Sequence, residues 1–353
     1  MATRRYRPRV VASAGCLVAA GSLALAACGT GQSAADAQLQ QGWTSLSSSP
    51  QVIFNLHVEA SVSQLEALPD HLSATDASLI AGGSIVVEAA TTSGQPLSSV
   101  ESSSSSLQEA LKAVEVDVLG ELNGSPLVEL RVVGGVLYAQ LDVAGLDSVL
   151  AGYGQSLTSA ERKLPPGVAA DPAVQALLDG KWVSLDLTSL VNQLSSAGVL
   201  HPNQSPGQSK AQVSRLLDAL VQTFAKEVSV TNVGSSAQLG TDLLLSTDLH
   251  DFAEELLSAV SQAAPGLVTS KEVSRVANVP HRTLQVHAFV AGGTLTRLSV
   301  DLSQLAGEGQ VPAGTQLPLV LDVSHAPVTI AAPSGAVALD VPTLIQEAMT
   351  GSG

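Results

Sequence analysis

The chain has 353 residues, of which 45% are apolar and 3% aromatic, and its formal net charge at pH 7 is −15. Such an acidic surface repels phosphate backbones and anionic lipid headgroups, so the composition argues against nucleic-acid binding. The apolar content is sufficient for a large hydrophobic core.

The N-terminus has the three parts of an export signal. Four arginines between residues 4 and 9 precede an uncharged, mostly apolar stretch over residues 10–27, and small residues then lead into Cys28. This order predicts a lipoprotein signal peptide over residues 1–27 and a lipid attached to Cys28. An uncleaved anchor is the alternative, although the stretch is near the lower length limit for a span. Arg4 and Arg5 leave the choice between Sec and twin-arginine export open.

A polar segment follows the lipidation site. Residues 28–42 are rich in Gly, Ser, Ala and Gln, which predicts a flexible tether before a single domain over residues 43–350. Cys16 would leave with the signal and Cys28 would be acylated, so no thiol would remain for disulfides, zinc or catalysis. We therefore predict a protein at the extracytoplasmic face of the cell membrane, held there by its N-terminal lipid.

Alternating apolar and polar residues predict about twelve strands, mostly joined by hairpins. Asn123-Gly124, Gly134-Gly135 and Gly292-Gly293 are typical hairpin turns. Strands are predicted over residues 52–58, 84–88, 114–118, 127–133, 136–143, 182–186, 245–248, 284–290, 298–302, 317–323 and 328–330. The serine run over residues 98–106 predicts a mobile loop.

Helices interrupt this meander. Apolar stripes with helical spacing predict amphipathic helices over residues 146–153, 213–224 and 249–260, and Pro342 predicts the start of a short terminal helix. Asp142, Asp186 and Asp248 each stand between a strand and a helix, where a carboxylate accepts backbone N–H bonds. We interpret the three as structural caps rather than catalytic acids. The pattern as a whole predicts an α+β fold.

Sequence motifs of catalysis are absent. The chain has no G-x-S-x-G, Ser-x-x-Lys, Walker or His-Glu-x-x-His motif, and its seven histidines are scattered. His281 and His287 share one strand region, and we do not expect them to share a metal. We predict no enzyme activity, no metal and no cofactor. A hydrolase would need a Ser–His pair with a supporting acid.

Three short motifs carry a family resemblance. They are GGVLYAQL at residues 134–141, GKWV at residues 180–183 and VSHAPVTIAAP at residues 323–333. Together with the lipidation motif and polar tether, they resemble the LppX/LprG family of actinobacterial lipoproteins, which share a LolA-like fold. The resemblance implies a large curved antiparallel sheet, a half-barrel, with helices packed on its concave face and an apolar pocket between the layers. The chain departs from the family in extra length near residues 165–172, 201–210 and 307–314.

The same resemblance implies an activity. The protein would bind acyl chains of lipids or lipoglycans in the pocket, carry or chaperone them at the cell envelope, and have a membrane transporter as partner. Aliphatic residues on the predicted inner face are candidates for the lining: Val149, Leu217, Leu220, Phe224, Val286 and Leu319. Alternating aliphatic residues also make an ordinary solid core. The second hypothesis is therefore a closed-core scaffold or binding lipoprotein that supports an envelope protein complex.

Overall fold

A computed structural model describes the chain from Ser33 to Asp340, apart from residues 69–71, 104–106, 158–161, 163, 165, 191–214, 217–218, 221, 264–267, 269, 306–310 and 313. The predicted signal peptide, Cys28 and the helix after Pro342 lie outside the described residues. So do the predicted insertion at residues 201–210 and most of the one at residues 307–314.

In the described part of the chain, twelve strands form one sheet. They are β1 Gln51–Val58, β2 Gly83–Thr91, β3 Val114–Leu122, β4 Ser125–Val133, β5 Val136–Leu141, β6 Val183–Asp186, β7 Ser229–Ser236, β8 Gly240–Asp248, β9 Thr283–Ala291, β10 Thr294–Asp301, β11 Pro318–Ser324 and β12 Val337–Ala338. Their order is β12-β6-β5-β4-β3-β2-β1-β11-β10-β9-β8-β7, and every pair is antiparallel except β12 with β6. The sheet is curved and unclosed. The predicted α+β class and its large antiparallel sheet are confirmed.

The two faces of the sheet differ in chemistry because side chains alternate along each strand. Phe54 of β1 is opposite Val87 of β2 and Val323 of β11. Following this register across the sheet places aliphatic side chains of every neighbouring strand on the same side, which we call the apolar face. The opposite side, the polar face, carries charged residues such as Asp117 and Arg131.

Helices pack on this sheet and around its ends. They are α1 Ala34–Ser48, α2 Val62–Glu66, α3 Ala74–Gly82, α4 Leu97–Ser103, α5 Leu107–Ala113, α6 Val143–Ala151, α7 Pro166–Ala170, α8 Pro172–Leu178, α9 Leu249–Ala263 and α10 Ser270–Val276. Within the described part of the chain, none of the helices has the length and apolarity needed to span a bilayer.

The predicted tether is too long, because α1 begins at Ala34 within it. Ser33 and Asp36 form a reciprocal capping box that starts this helix. Leu39 and Leu46 follow at helical spacing and are buried in the main core. The Gly-, Ser- and Gln-rich composition concealed a helix whose three large apolar residues, Leu39, Trp43 and Leu46, all pack in the main core.

Three further predictions of local structure differ from the fold. Residues 98–103 of the predicted serine loop are helical, as part of α4. Residues 328–330, between Pro327 and Pro333, form no regular secondary structure and do not pair as a strand. Strand β7 was not predicted, because its sequence SVTNVGSS is polar and shows no apolar alternation.

Candidate functional site

Helices cover parts of the apolar face, among them α1 and α8. Helix α1 lies over β8 to β10, where Leu243 and Ala288 have no exposed surface. Toward the opposite end of the strand order, Ala173 and Ala176 of α8 pack against Val183 of β6. Both contacts are ordinary hydrophobic core, in which buried side chains interdigitate without large voids.

Between these covered parts lies an apolar strip that is not sealed. Ile85 belongs to β2, near the centre of the sheet, and yet 48% of its surface is exposed. Its neighbours along two cross-strand rows are all half-buried. The apolar strip consists of Val128, Gly120, Ile85, Leu56, Leu321, Val58, Leu319, Val300 and Val286.

The strip has the length of lipid chains. It crosses seven adjacent strands from β4 to β9, and strands are about 4.8 Å apart, so it is about 29 Å long. This is about the thickness of the hydrocarbon core of a bilayer, which two acyl chains fill end to end. Every side chain in it is aliphatic except the glycine, so it offers dispersion contacts and no hydrogen-bonding group.

Gly120 is the one residue of the strip that has no side chain. A Cβ added to this residue would come no closer than 3.9 Å to another heavy atom, and those atoms belong to Val128. The backbone of Gly120 does not have a positive φ, so another residue type fits its conformation. The missing side chain therefore leaves space above β3 beside Ile85.

One end of the strip adjoins a polar cavity. Val128 is shared between the strip and a cavity of about 700 Å³ bounded by β4, β5 and α6. Four carboxyl-bearing residues line the same cavity, namely Glu129, Asp142, Asp147 and Asp179. Anionic groups are disfavoured beside these carboxylates, whereas hydroxyl groups can donate hydrogen bonds to them.

The predicted lining residues occupy different places. Val286 and Leu319 lie in the strip, in one cross-strand row with Val300 between them. Phe224, in the helical segment over residues 222–227, packs against the core beneath α1. Val149 of α6 is half-buried and Leu220 is 38% exposed, while Leu217 lies outside the described residues. Their contact with a ligand stays a prediction. Sequence reasoning did not single out Ile85 or Gly120, although Ile85 lies in a predicted strand.

Two of the three predicted caps are confirmed. Asp248 accepts hydrogen bonds from the backbone N–H groups of Asp251 and His250 at the start of α9, and these bonds lower the pKa of Asp248. Asp186 accepts from the backbone N–H of Ser189, which lowers the pKa of Asp186 in the same way. Asp142 stands at the start of α6, but its side chain makes no capping hydrogen bond, so that prediction was wrong.

His281, one of the seven scattered histidines, has acidic neighbours. His281 Nδ1 lies 3.3 Å from Asp248 and 3.6 Å from Asp251, close enough for three ligand atoms to meet around one cation. His287, on β9, instead contacts Asp242 at 2.9 Å. Asp248 is already engaged in capping α9, and the positive end of the helix dipole opposes a cation there. We therefore assign the His281 group to helix capping.

Comparisons with known proteins give a similarity of structure but no match to a family model or a curated protein. Among solved structures, the chain is similar to the crystal structure of the lipoprotein LppX from Mycobacterium tuberculosis. The two are 13% identical, the match covers 84% of this chain and 97% of that one, and the TM-score is 0.31. At this low identity and TM-score, the similarity does not bear on function.

Proposed function

We propose that this protein is an exported, lipid-anchored lipoprotein that holds acyl chains on its apolar strip and carries or chaperones them at the cell envelope. The observation that supports the proposal most is the exposure of Ile85 in the middle of a twelve-stranded sheet. A closed α+β domain buries the apolar face of its central strands. Leaving such a strip in water is costly, at about 25 cal/mol per Å² of apolar surface. A ligand that covers it regains this free energy.

The chemistry of the strip selects the kind of ligand. Acyl chains match it because each buried methylene contributes about 0.8 kcal/mol and needs no polar partner. The polar end of the ligand would lie toward the cavity beside Val128, where Asp142, Asp147 and Asp179 disfavour a phosphate and accept hydroxyl hydrogen bonds. This arrangement favours long-chain lipids with an uncharged, hydroxyl-bearing headgroup.

The N-terminal sequence supports the location that we propose. The basic start, the apolar stretch and the small residues before Cys28 together favour export, cleavage and lipidation of this cysteine. With residues 1–27 removed, 12 basic residues would remain against 31 acidic ones. Because anionic headgroups would repel such a chain, membrane attachment would depend on the lipid.

A pair of variants tests acyl-chain binding. Gly120→Leu places a branched side chain over the strip where an added Cβ is tolerated. Ser299→Leu adds the same side chain on the polar face of β10 and serves as the control. We expect wild type and Ser299→Leu to take up a fluorescent C16 fatty acid, and Gly120→Leu to bind it at least tenfold more weakly.

Two outcomes would count against the proposal. Equal binding by the two leucine variants would place the probe elsewhere. A wild-type protein that takes up no probe would favour the second hypothesis, in which the exposed strip is a contact surface for an envelope protein complex.

A further inference from the structure

A ladder of charged side chains lies on the polar face, on the other side of the sheet from the apolar strip. The cross-strand register places Glu88 of β2 opposite Asp117 of β3, and Asp117 opposite Arg131 of β4. The same row extends outward to the last residue of β11 and to β12. In order, it contains Ser324, Ile53, Glu88, Asp117, Arg131, Tyr138, Ser184 and Ala338.

Residues 325–336, which we call the strap, connect the two ends of this row. The strap leaves β11 after Ser324 and enters β12 at Val337, so it passes six intervening strands. The carbonyl oxygen of Ala331 accepts a hydrogen bond from Arg131 Nη1 at 3.2 Å, and Ile330 beside it is 6% exposed. Because Arg131 projects from the polar face, this bond places the strap over the charged ladder.

Near the strap, the carboxylates of Asp117 and Glu129 share the guanidinium group of Arg131. Arg131 Nε donates to Asp117 Oδ2 at 2.9 Å, and the guanidinium also contacts Glu129 and lies 5.0 Å from the ring of Trp182. Asp117 is buried, and within the described part of the chain its Oδ1 atom has no hydrogen-bond partner. An unpartnered carboxylate oxygen out of contact with water is strongly disfavoured in its charged form.

The electrostatic balance at Asp117 favours its protonated form. Burial raises the pKa of Asp117 to about 6, because desolvation and repulsion by Glu129 and Glu88 outweigh the attraction of Arg131. The other titratable groups of this region are Glu115, on the same face of β3, and His325, at the start of the strap.

We propose that the strap is a pH-dependent cover, closed over the polar face when Asp117 is protonated and loosened when Asp117 is ionised. The reason is linkage, since a proton that binds more tightly to the closed form than to the open form stabilises the closed form. If opening returned the carboxyl group fully to water, the ratio of closed to open strap would fall by up to about a hundredfold between pH 4 and pH 7. Most of this change takes place below pH 6, and little of it remains above the raised pKa of Asp117 of about 6.

Hydrogen–deuterium exchange of the full-length chain in detergent micelles tests this device. Exchange of peptides from residues 325–336 is measured from pH 4 to pH 8 and corrected for the intrinsic pH dependence of exchange. In wild type we expect protection of the strap to fall as the pH rises toward 6. The Asp117→Asn variant mimics the neutral carboxyl group, so its strap stays protected throughout. Asp142→Asn, which changes an exposed carboxylate outside the ladder, keeps the wild-type profile.

A second variant keeps the test decisive if Asp117→Asn does not fold. Glu88→Gln removes one repelling carboxylate from beside Asp117, so the midpoint of strap opening is expected to move to lower pH. Protection of the wild-type strap that does not change with pH would overturn the proposal. A Glu88→Gln midpoint equal to that of wild type, or an Asp117→Asn strap that still loosens as the pH rises toward 6, would also overturn it.

Discussion

Ile85 and Ile80 are of one residue type and similarly exposed, but they differ in their surroundings. Ile85 lies in the apolar strip and is 48% exposed, whereas Ile80, on α3, is 37% exposed. A charge at either position stays in contact with water, so both glutamate variants are expected to fold with only a small loss of stability. Only Ile85→Glu places a carboxylate where acyl chains would lie.

We therefore expect Ile85→Glu to abolish binding of a fluorescent fatty acid and Ile80→Glu to retain it. Thermal unfolding of both variants, recorded by circular dichroism, checks that the fold is intact. If Ile85→Glu binds the probe as tightly as Ile80→Glu does, the strip is not the acyl site.

The two aspartates at helix starts provide a second matched pair. Asp248 caps α9 with two backbone hydrogen bonds, whereas Asp142 makes none at α6. Since these bonds lower the pKa of Asp248, its contribution to stability is present above the ordinary carboxyl pKa and is lost as the pH falls through the lowered value. We expect Asp248→Ala to lower the melting temperature at pH 7 more than Asp142→Ala does, with the difference shrinking toward pH 3. Equal effects at pH 7 would contradict the capping assignment.

For single residues, the sequence predicted the face of the sheet on which a side chain lies but not how exposed the side chain is. The alternation of Leu284 to Val290 and of Leu317 to Val323 correctly placed Val286 and Leu319 on the aliphatic side of their strands. Alternation assigns a side chain to a face, but it does not reveal whether a helix covers that face. The exposure of Ile85 depends on helix packing between distant segments, so the local sequence could not predict it.

At the scale of elements, strands were easier to predict than helices. The hairpin pairs at Asn123-Gly124 and Gly134-Gly135 join β3 to β4 and β4 to β5 as expected, because both glycines of the second pair and Gly124 have positive φ values. Helix α1 and strand β7 escaped prediction, since both are polar in composition and stabilised mainly by tertiary contacts. The strap was mistaken for a strand because its aliphatic residues resemble one locally.

Helix α1 is expected to act as a structural part of the domain rather than as a tether. Leu39 is 2% exposed and packs in the core with Leu243 and Ala288. Replacing a buried leucine with alanine typically costs about 2–5 kcal/mol, so Leu39→Ala should lower the free energy of unfolding by this amount. Thr44→Ala, on the exposed side of the same helix, should change it by less than about 0.5 kcal/mol. Denaturant unfolding of the two variants measures the difference, and a neutral Leu39→Ala would restore the tether interpretation.

For the whole molecule, we expect attachment to the membrane to depend on one residue. Cys28→Ala removes the thiol that would carry the lipid, and the acidic chain has no other feature that favours anionic lipid surfaces. The variant should therefore appear in the soluble fraction after cell fractionation, while wild type sediments with membranes. A variant that remains fully with the membranes would contradict the lipid-anchor proposal and favour the uncleaved anchor.

The sequence predicted the architecture of the whole molecule well and its site only in outline. Most of the strands and their shared aliphatic face follow from alternation and turn residues, which can be read locally, whereas β7 and β12 were not predicted. The candidate site, the apolar strip, is the part of that face that stays partly exposed between α1 and α8. The extent of this partly exposed region depends on where the covering helices end. Helix α1, which borders it, could not be recognised from the low-complexity composition of residues 33–48.

The most direct test of acyl-chain binding is native mass spectrometry of a soluble version lacking residues 1–28, purified from its own host, followed by organic extraction. We predict a stoichiometric bound lipid in wild type and in Ser299→Leu, and its loss in Gly120→Leu. A protein that is free of lipid in all three forms, and that takes up no added lipid, would contradict the account and leave the strip as a surface for a protein partner.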